Sequence, residues 1–118
     1  MAREMTSKAQ EAIASALQAA SAAGNPQVEP VHLLEALIEQ QGGIALALLK
    51  AVGADSRAIG AQTRRALVAL PSTQGASAGS AQPSRSLLAV VQDAGERADE
   101  GADQYVSTEH LLIALAAS

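Results

Sequence analysis

Residues 29–38 read EPVHLLEALI, and residues 107–116 read STEHLLIALA. Both carry His-Leu-Leu followed by an apolar helical pattern, with the histidine at the same place. A shift of 78 residues brings the two into register, and the correspondence extends outward without a gap. Thr6 falls on Ser84, Ile13 on Val91, Ala16 on Ala94 and Ala20 on Ala98. Asn25 falls on Asp103, Val28 on Val106, His32 on His110 and Leu37 on Leu115. The match covers a helix, its turn and the next helix, so the chain reads as a tandem repeat. The second copy stops before any counterpart of residues 41–70. Either the repeat is naturally incomplete, or the chain given ends inside it. We expect such an ending to leave apolar surface on the last helix unless a neighbour covers it.

The local signals are those of helices. Thr6 can cap a first helix, behind which Ala9, Ala12, Ile13, Ala16, Leu17 and Ala20 share a face. Gly24-Asn25-Pro26 ends it. Pro30 suits the first position of a second helix, where its missing N–H costs nothing, and Leu33, Leu34, Leu37 and Ile38 form the buried side. Gly42-Gly43 breaks that helix. Ile44 to Val52 is a short apolar helix closed by Gly53. Asp55 or Ser56 caps a fourth, with Ile59, Thr63, Ala66, Leu67 and Leu70 inward and Pro71 as its stop. PSTQGASAGSAQP, residues 71–83, has no apolar periodicity and reads as a flexible linker. Ser84 caps a fifth helix whose apolar positions are Leu87, Leu88, Val90, Val91, Ala94 and Ala98. Its end carries Asp99, Glu100 and Asp103, against the preference for cations at a helix C-terminus. A last helix starts near Ser107-Thr108-Glu109. No strand-like alternation is present, and the predicted fold class is all-α: a pseudo-twofold tandem repeat with its second copy truncated. Residues 1–70 form the first repeat, 71–83 the linker and 84–118 the first half of the second, all in one globular domain.

Composition narrows the function classes. The 118 residues are 48% hydrophobic and 17% charged, with one Tyr, no Phe, no Trp and no Cys. Alanine fills about a quarter of the chain, which suits helices that approach closely. A net charge of −4 without a basic cluster argues against a nucleic-acid partner. The absence of cysteine excludes disulfides and thiolate metal sites. Apolar runs such as Ile44–Leu49 and Leu111–Ala117 are far too short to span a bilayer, and the N-terminus lacks an apolar signal core, so no membrane partner and a cytoplasmic location are expected.

Catalytic signatures are missing: there is no G-x-x-x-x-G-K-[ST] phosphate loop and no recognisable Ser/His/Asp pattern. Two histidines without cysteine make a zinc site a poor expectation. His32 and His110 could form an acid/base or metal pair. Their equivalence under the repeat favours a structural role in the first turn of each second helix, since duplication copies architecture before activity.

The Thr-capped Ala-rich helix, Val-Glu-Pro-Val-His-Leu-Leu-Glu-Ala-Leu, the Gly-Gly break, Leu-Leu-Lys-Ala-Val-Gly and the second Glu-His-Leu-Leu together resemble the Clp repeat N-terminal domain of the Clp AAA+ unfoldases. The resemblance covers essentially the whole chain. Glu-Pro-Val-His-Leu-Leu, Gln-Gln-Gly-Gly and Ala-Leu-Pro…Gln-Pro-Ser are similar to the ClpB-type disaggregase branch. It implies a substrate-recognition module that captures unfolded or aggregated clients for a homohexameric, ATP-driven threading ring, with a co-chaperone system as a further partner. ATP and magnesium would belong to the ring, and no cofactor to this domain. It further implies that Thr6, Asp103 and Glu109 line the substrate-facing side. An apolar groove between repeats could draw on Leu87, Val90, Val91, Tyr105 and the Leu111 side, with His110 adding polarity. Two alternatives stand beside it: an adaptor-docking or regulatory module of the ClpC/ClpA type, and a stand-alone Clp-repeat protein without an ATPase.

Overall fold

The computed structural model describes residues 4–72 and 81–118. Six helices follow one another among them: α1 (Ser7–Ala22), α2 (Pro30–Glu39), α3 (Ala45–Ala51), α4 (Ser56–Val68), α5 (Arg85–Glu100) and α6 (Thr108–Ala117). Their starts rest on side chains that satisfy otherwise orphaned N–H groups. Thr6 Oγ1 accepts from the Ala9 amide at 3.2 Å, Ser84 Oγ from Leu87 at 3.0 Å and Asp55 Oδ1 from Ala58 at 3.1 Å. Pro30 occupies the first turn of α2.

α1 and α5 end in the same hydrogen-bonded motif. The Gly24 amide donates to Ser21 O at 3.1 Å and the Asn25 amide to Ala20 O at 2.9 Å. In the second copy Ala102 donates to Asp99 O at 3.0 Å and Asp103 to Ala98 O at 2.8 Å. This closure needs a left-handed residue after the cap. Gly24 supplies it at φ +74°, while Ala102 adopts +56° in spite of its Cβ.

Both halves feed one core. Ala9, Ala12, Ala16 and Ala20 of α1 and Leu87, Val90, Ala94 and Ala98 of α5 are buried, together with Leu33, Leu37, Leu111 and Ala114 from α2 and α6. The alanine stripes let these backbones come close without a cavity.

The halves are also interlocked through their backbones. β1 (Gln27–Val28) pairs in parallel with β2 (Gln82–Pro83), and Met5 bridges in parallel to Val106. These are one contact made twice: the Ser84 amide donates to Val28 O at 3.0 Å, and its counterpart Thr6 donates to Val106 O at 2.9 Å. Each repeat thus borrows the segment before the other's first helix.

Three sequence expectations need correction. The linker reading of 71–83 fails at both ends. Asn25 Nδ2 donates to Pro71 O at 2.8 Å, Ser72 Oγ to Ala23 O at 2.8 Å and the Ala81 amide to Ser21 Oγ at 3.1 Å, while Ala81 is buried and Gln82–Pro83 is paired. Residues 73–80 of that stretch lie outside the described residues. In α4 Thr63 is buried and Ile59, Leu67 and Leu70 are half-buried as the pattern suggests, but Ala66 is exposed and Gly60 is buried in its stead. Leu88 of α5 is 56% exposed and stands outside the core.

Candidate functional site

The two histidines do the same structural work. In α2 the Glu29 amide donates to His32 Nδ1 at 2.8 Å, and in α6 the Ser107 amide donates to His110 Nδ1 at 2.9 Å. Each ring reaches back from the third helical position to cap its own helix, a role usually taken by Glu or Gln. An Nδ1 that accepts leaves the proton on Nε2. His32 Nε2 donates to Asn25 Oδ1 at 2.9 Å, and His110 Nε2 donates to Asp103 Oδ2 at 2.9 Å. Both rings are buried, with both nitrogens engaged. Burial lowers the His32 pKa below its ordinary 6.5, against an opposing pull from the Glu29 charge and backbone. The bonds run within each repeat and cross from the start of the second helix to the residue that closes the end of the first, Asn25 behind α1 and Asp103 behind α5. Among the described residues no group of acids and histidines is placed to hold a metal.

α1 and α5 bound an apolar depression of about 420 Å³. Its walls include Met5, Ile13 and Leu17 on one side and Pro83, Leu87, Leu88 and Val91 on the other. Leu17 and Leu88 are 40% and 56% exposed, so their alkyl surface faces solvent across the groove. The polar residue on the wall is Gln10, whose side-chain amide is already spent on the Met5 carbonyl at 2.9 Å.

The family follows from the pattern as a whole. Residues 4–118 match the Clp repeat (R) N-terminal domain. The chain belongs to that family. It is 50% identical over 111 residues to the chaperone protein ClpB of Mycobacterium tuberculosis and 44% identical to that of Corynebacterium diphtheriae. Each of those alignments covers 94% of this chain but 13% of the relative, so the chain spans a small part of those chaperones. The Hsp104 N-terminal domain of Candida albicans superposes with a TM-score of 0.84 at 27% identity, covering 95% of this chain and 73% of that one. The N-terminal domain of the Escherichia coli ClpV1 ATPase shares the fold at TM-score 0.84 and 23% identity, with 95% and 67% covered.

The Clp repeat fold distributes the sequence-derived site residues over several places. Leu87 and Val91 lie on the groove wall. Val90, one face further round α5, lines a separate depression of about 520 Å³ with Glu29, Pro30, Asp93 and Ala114. Leu111 is wholly buried in the core. Thr6 donates to Val106 O at the junction of the two repeats, and Asp103 and Glu109 each stand three residues along the chain from Val106. Tyr105 adjoins that junction, 46% exposed, and is not part of the groove wall. Sequence reasoning missed Met5, Ile13, Leu17, Pro83 and Leu88 as groove residues. The signal was available: Ile13 and Val91 are equivalent under the repeat, so two first helices meeting across the pseudo-twofold axis bring both to one groove.

Proposed function

We propose that this Clp repeat domain captures exposed apolar segments of unfolded or aggregated proteins and passes them to a hexameric ATP-driven threading ring in a longer polypeptide. The groove between α1 and α5 carries this reading, since it gathers apolar side chains of both repeats into one open depression with a single polar residue, Gln10, on its wall. Shallow aliphatic walls without a deep anchor favour weak and promiscuous contact. Weak capture suits a module that must release what it binds. This chain carries no phosphate loop, so ATP and magnesium would be handled by the ring.

The test is titration of a fluorescent unfolded protein with this chain. Leu17→Asp and Leu88→Asp place a charge on the groove wall at half-exposed positions, where the fold tolerates it. Each should weaken binding about tenfold or more, since a full leucine burial is worth about 1.5–3 kcal/mol. An absence of binding at high micromolar chain would remove the capture role. Binding of a folded adaptor in preference to the denatured client would favour adaptor docking.

A further inference from the structure

Charge is sorted along this chain by helix. From Ala45 to Val68, which holds α3 and α4, the cations Lys50, Arg57, Arg64 and Arg65 stand against one acid, Asp55, whose carboxylate is spent on the Ala58 amide. α5 carries Asp93, Glu96, Asp99 and Glu100 against Arg85 and Arg97, and Arg97 is committed to Asp93 at 3.1 Å. Arg64 acts on the Glu35 carboxyl of α2. Among the described residues Arg57, Arg65, Glu96 and Glu100 form no ion pair, and all four are exposed. Two of these charges sit at the unfavourable end of their own helix. Arg57 is in the first turn of α4 and Glu100 ends α5, where the macrodipole favours the opposite signs. Each would be favoured at the end where the other stands.

The two helices also match in spacing. Arg57, Ala61, Arg64 and Val68 follow at i, i+4, i+7 and i+11 along α4, and Ala89, Asp93, Glu96 and Glu100 do the same along α5. Laid antiparallel, Arg57 meets Glu100, Ala61 meets Glu96, Arg64 meets the Asp93–Arg97 pair and Val68 meets Ala89. Ala61 is small, so Glu96 fits between Arg57 and Arg65, one turn to either side. Val68 is 87% exposed, and Ala89 lies on the depression of about 520 Å³ that Pro30, Val90 and Ala114 also line. Laid parallel, Val68 would face Glu100 and Arg57 would face Ala89. We infer that α4 of one copy of this chain lies antiparallel on the acidic face of α5 of a second copy. Leu87, Leu88 and Val91, which line the α1–α5 groove, lie on another face of α5, so the contact is independent of client capture. It joins unlike faces, and contacts of that kind carry copies on around a ring. One helix pair covers much less than the about 1,200–2,000 Å² of a stable interface, so the contact is weak between free chains and gains from tethering.

The chain has no cysteine, so a single nitroxide can be placed where it is wanted. Ala58→Cys and Ala69→Cys put one at either end of α4, at exposed positions off the contact stripe. Each nitroxide chain is mixed with an isotope-labelled chain at about 1 mM, where a millimolar contact is about half formed, and the amides of the second chain are read by NMR. The Ala58 nitroxide should broaden the amides near Glu100 most, and the Ala69 nitroxide those near Ala89. Both effects should fall at least about threefold at about 1 M salt, where exposed charges are screened. Arg57→Glu with Arg65→Glu in the nitroxide chain should remove the broadening, and so should Glu96→Lys with Glu100→Lys in the observed chain. Mixing the two reversed chains with each other should restore it. All four substitutions are at exposed positions, and an unchanged spread of amide shifts verifies the fold of each variant. Absence of broadening on α5, broadening spread evenly over the surface, or reversed chains that fail to restore it overturns the inference. Broadening of Leu87 and Val91 alone overturns it by placing the second copy in the groove, and broadening of the α4 amides does so by pairing like faces. A reversed preference of the two nitroxides overturns the antiparallel arrangement.

Discussion

Asn25 and Asp103 occupy the same turn position and differ in one group, an amide nitrogen against a carboxylate oxygen. Each accepts a hydrogen bond from a buried histidine at 2.9 Å, but Asn25 also donates onward to Pro71 O. His32 is therefore fixed as a neutral ring in a closed chain of bonds. Its folded pKa lies below the unfolded 6.5, because burial disfavours the charged form. In the window below 6.5 the unfolded chain binds more protons than the folded one, so stability is complete above that value and falls as the pH drops toward the folded pKa. Urea midpoints measured from pH 7.5 down to 5.5 should decline. His32→Gln keeps an acceptor for the Glu29 amide but leaves Asn25 Oδ1 without its donor. The variant should cost about 1–3 kcal/mol at pH 7.5 and show a flatter acid limb. A limb as steep as in the parent would assign the acid sensitivity to other groups. Ala102 gives a second residue-scale prediction. It holds φ +56°, where its counterpart is Gly24. Ala102→Gly should stabilise by about 0.5–1 kcal/mol, read as a higher urea midpoint, since a Cβ in the left-handed region costs more than the added freedom of glycine.

The helices declared themselves because caps and stops are local chemistry. Thr6, Ser84, Asp55, Pro30 and Gly24 each act through atoms within a few residues, and each stands where the sequence placed it. What escaped the sequence was non-local. A two-residue strand such as Gln82–Pro83 has no periodicity to read, and its partner, Gln27–Val28, lies far away along the chain. Leu88 looks like a core residue by composition. Only the position of α1 relative to α5 shows that both leucines line the groove, Leu87 buried at it and Leu88 exposed. Asp103 and Glu109 were legible as a departure from the repeat, but the bond that ties Thr6 to Val106 in the segment between them was not. The caps yield a prediction at this scale. Ser84 is buried and Thr6 only half so, yet both close the first turn of a helix and follow a borrowed segment. Ser84→Ala and Thr6→Ala should each lose about 1 kcal/mol in urea unfolding. Hydrogen exchange should show the loss concentrated at the first turn of the helix concerned.

At the scale of the molecule, the exchange of short segments makes two half-folds into one. The amide of Thr6, ahead of α1, is satisfied by Val106 O ahead of α6, and that of Ser84 by Val28 O ahead of α2. Neither first helix can be entered properly without the other repeat, and the alanine core spans both. Unfolding should then be a single cooperative transition, in spite of a sequence that reads as two copies. Leu33 and Leu111 test this directly. They are equivalent under the repeat, both wholly buried, and belong to α2 and α6. Each truncation to alanine should cost about 2–5 kcal/mol, from lost burial and the cavity left behind. If the halves are one cooperative unit, either variant lowers the global stability, and slow-exchanging amides in α1 and α5 lose protection together. Calorimetry should show one peak shifted downward in both. Two peaks, or protection lost only in the repeat that carries the substitution, would mean that the borrowed segments join two units that still fold separately.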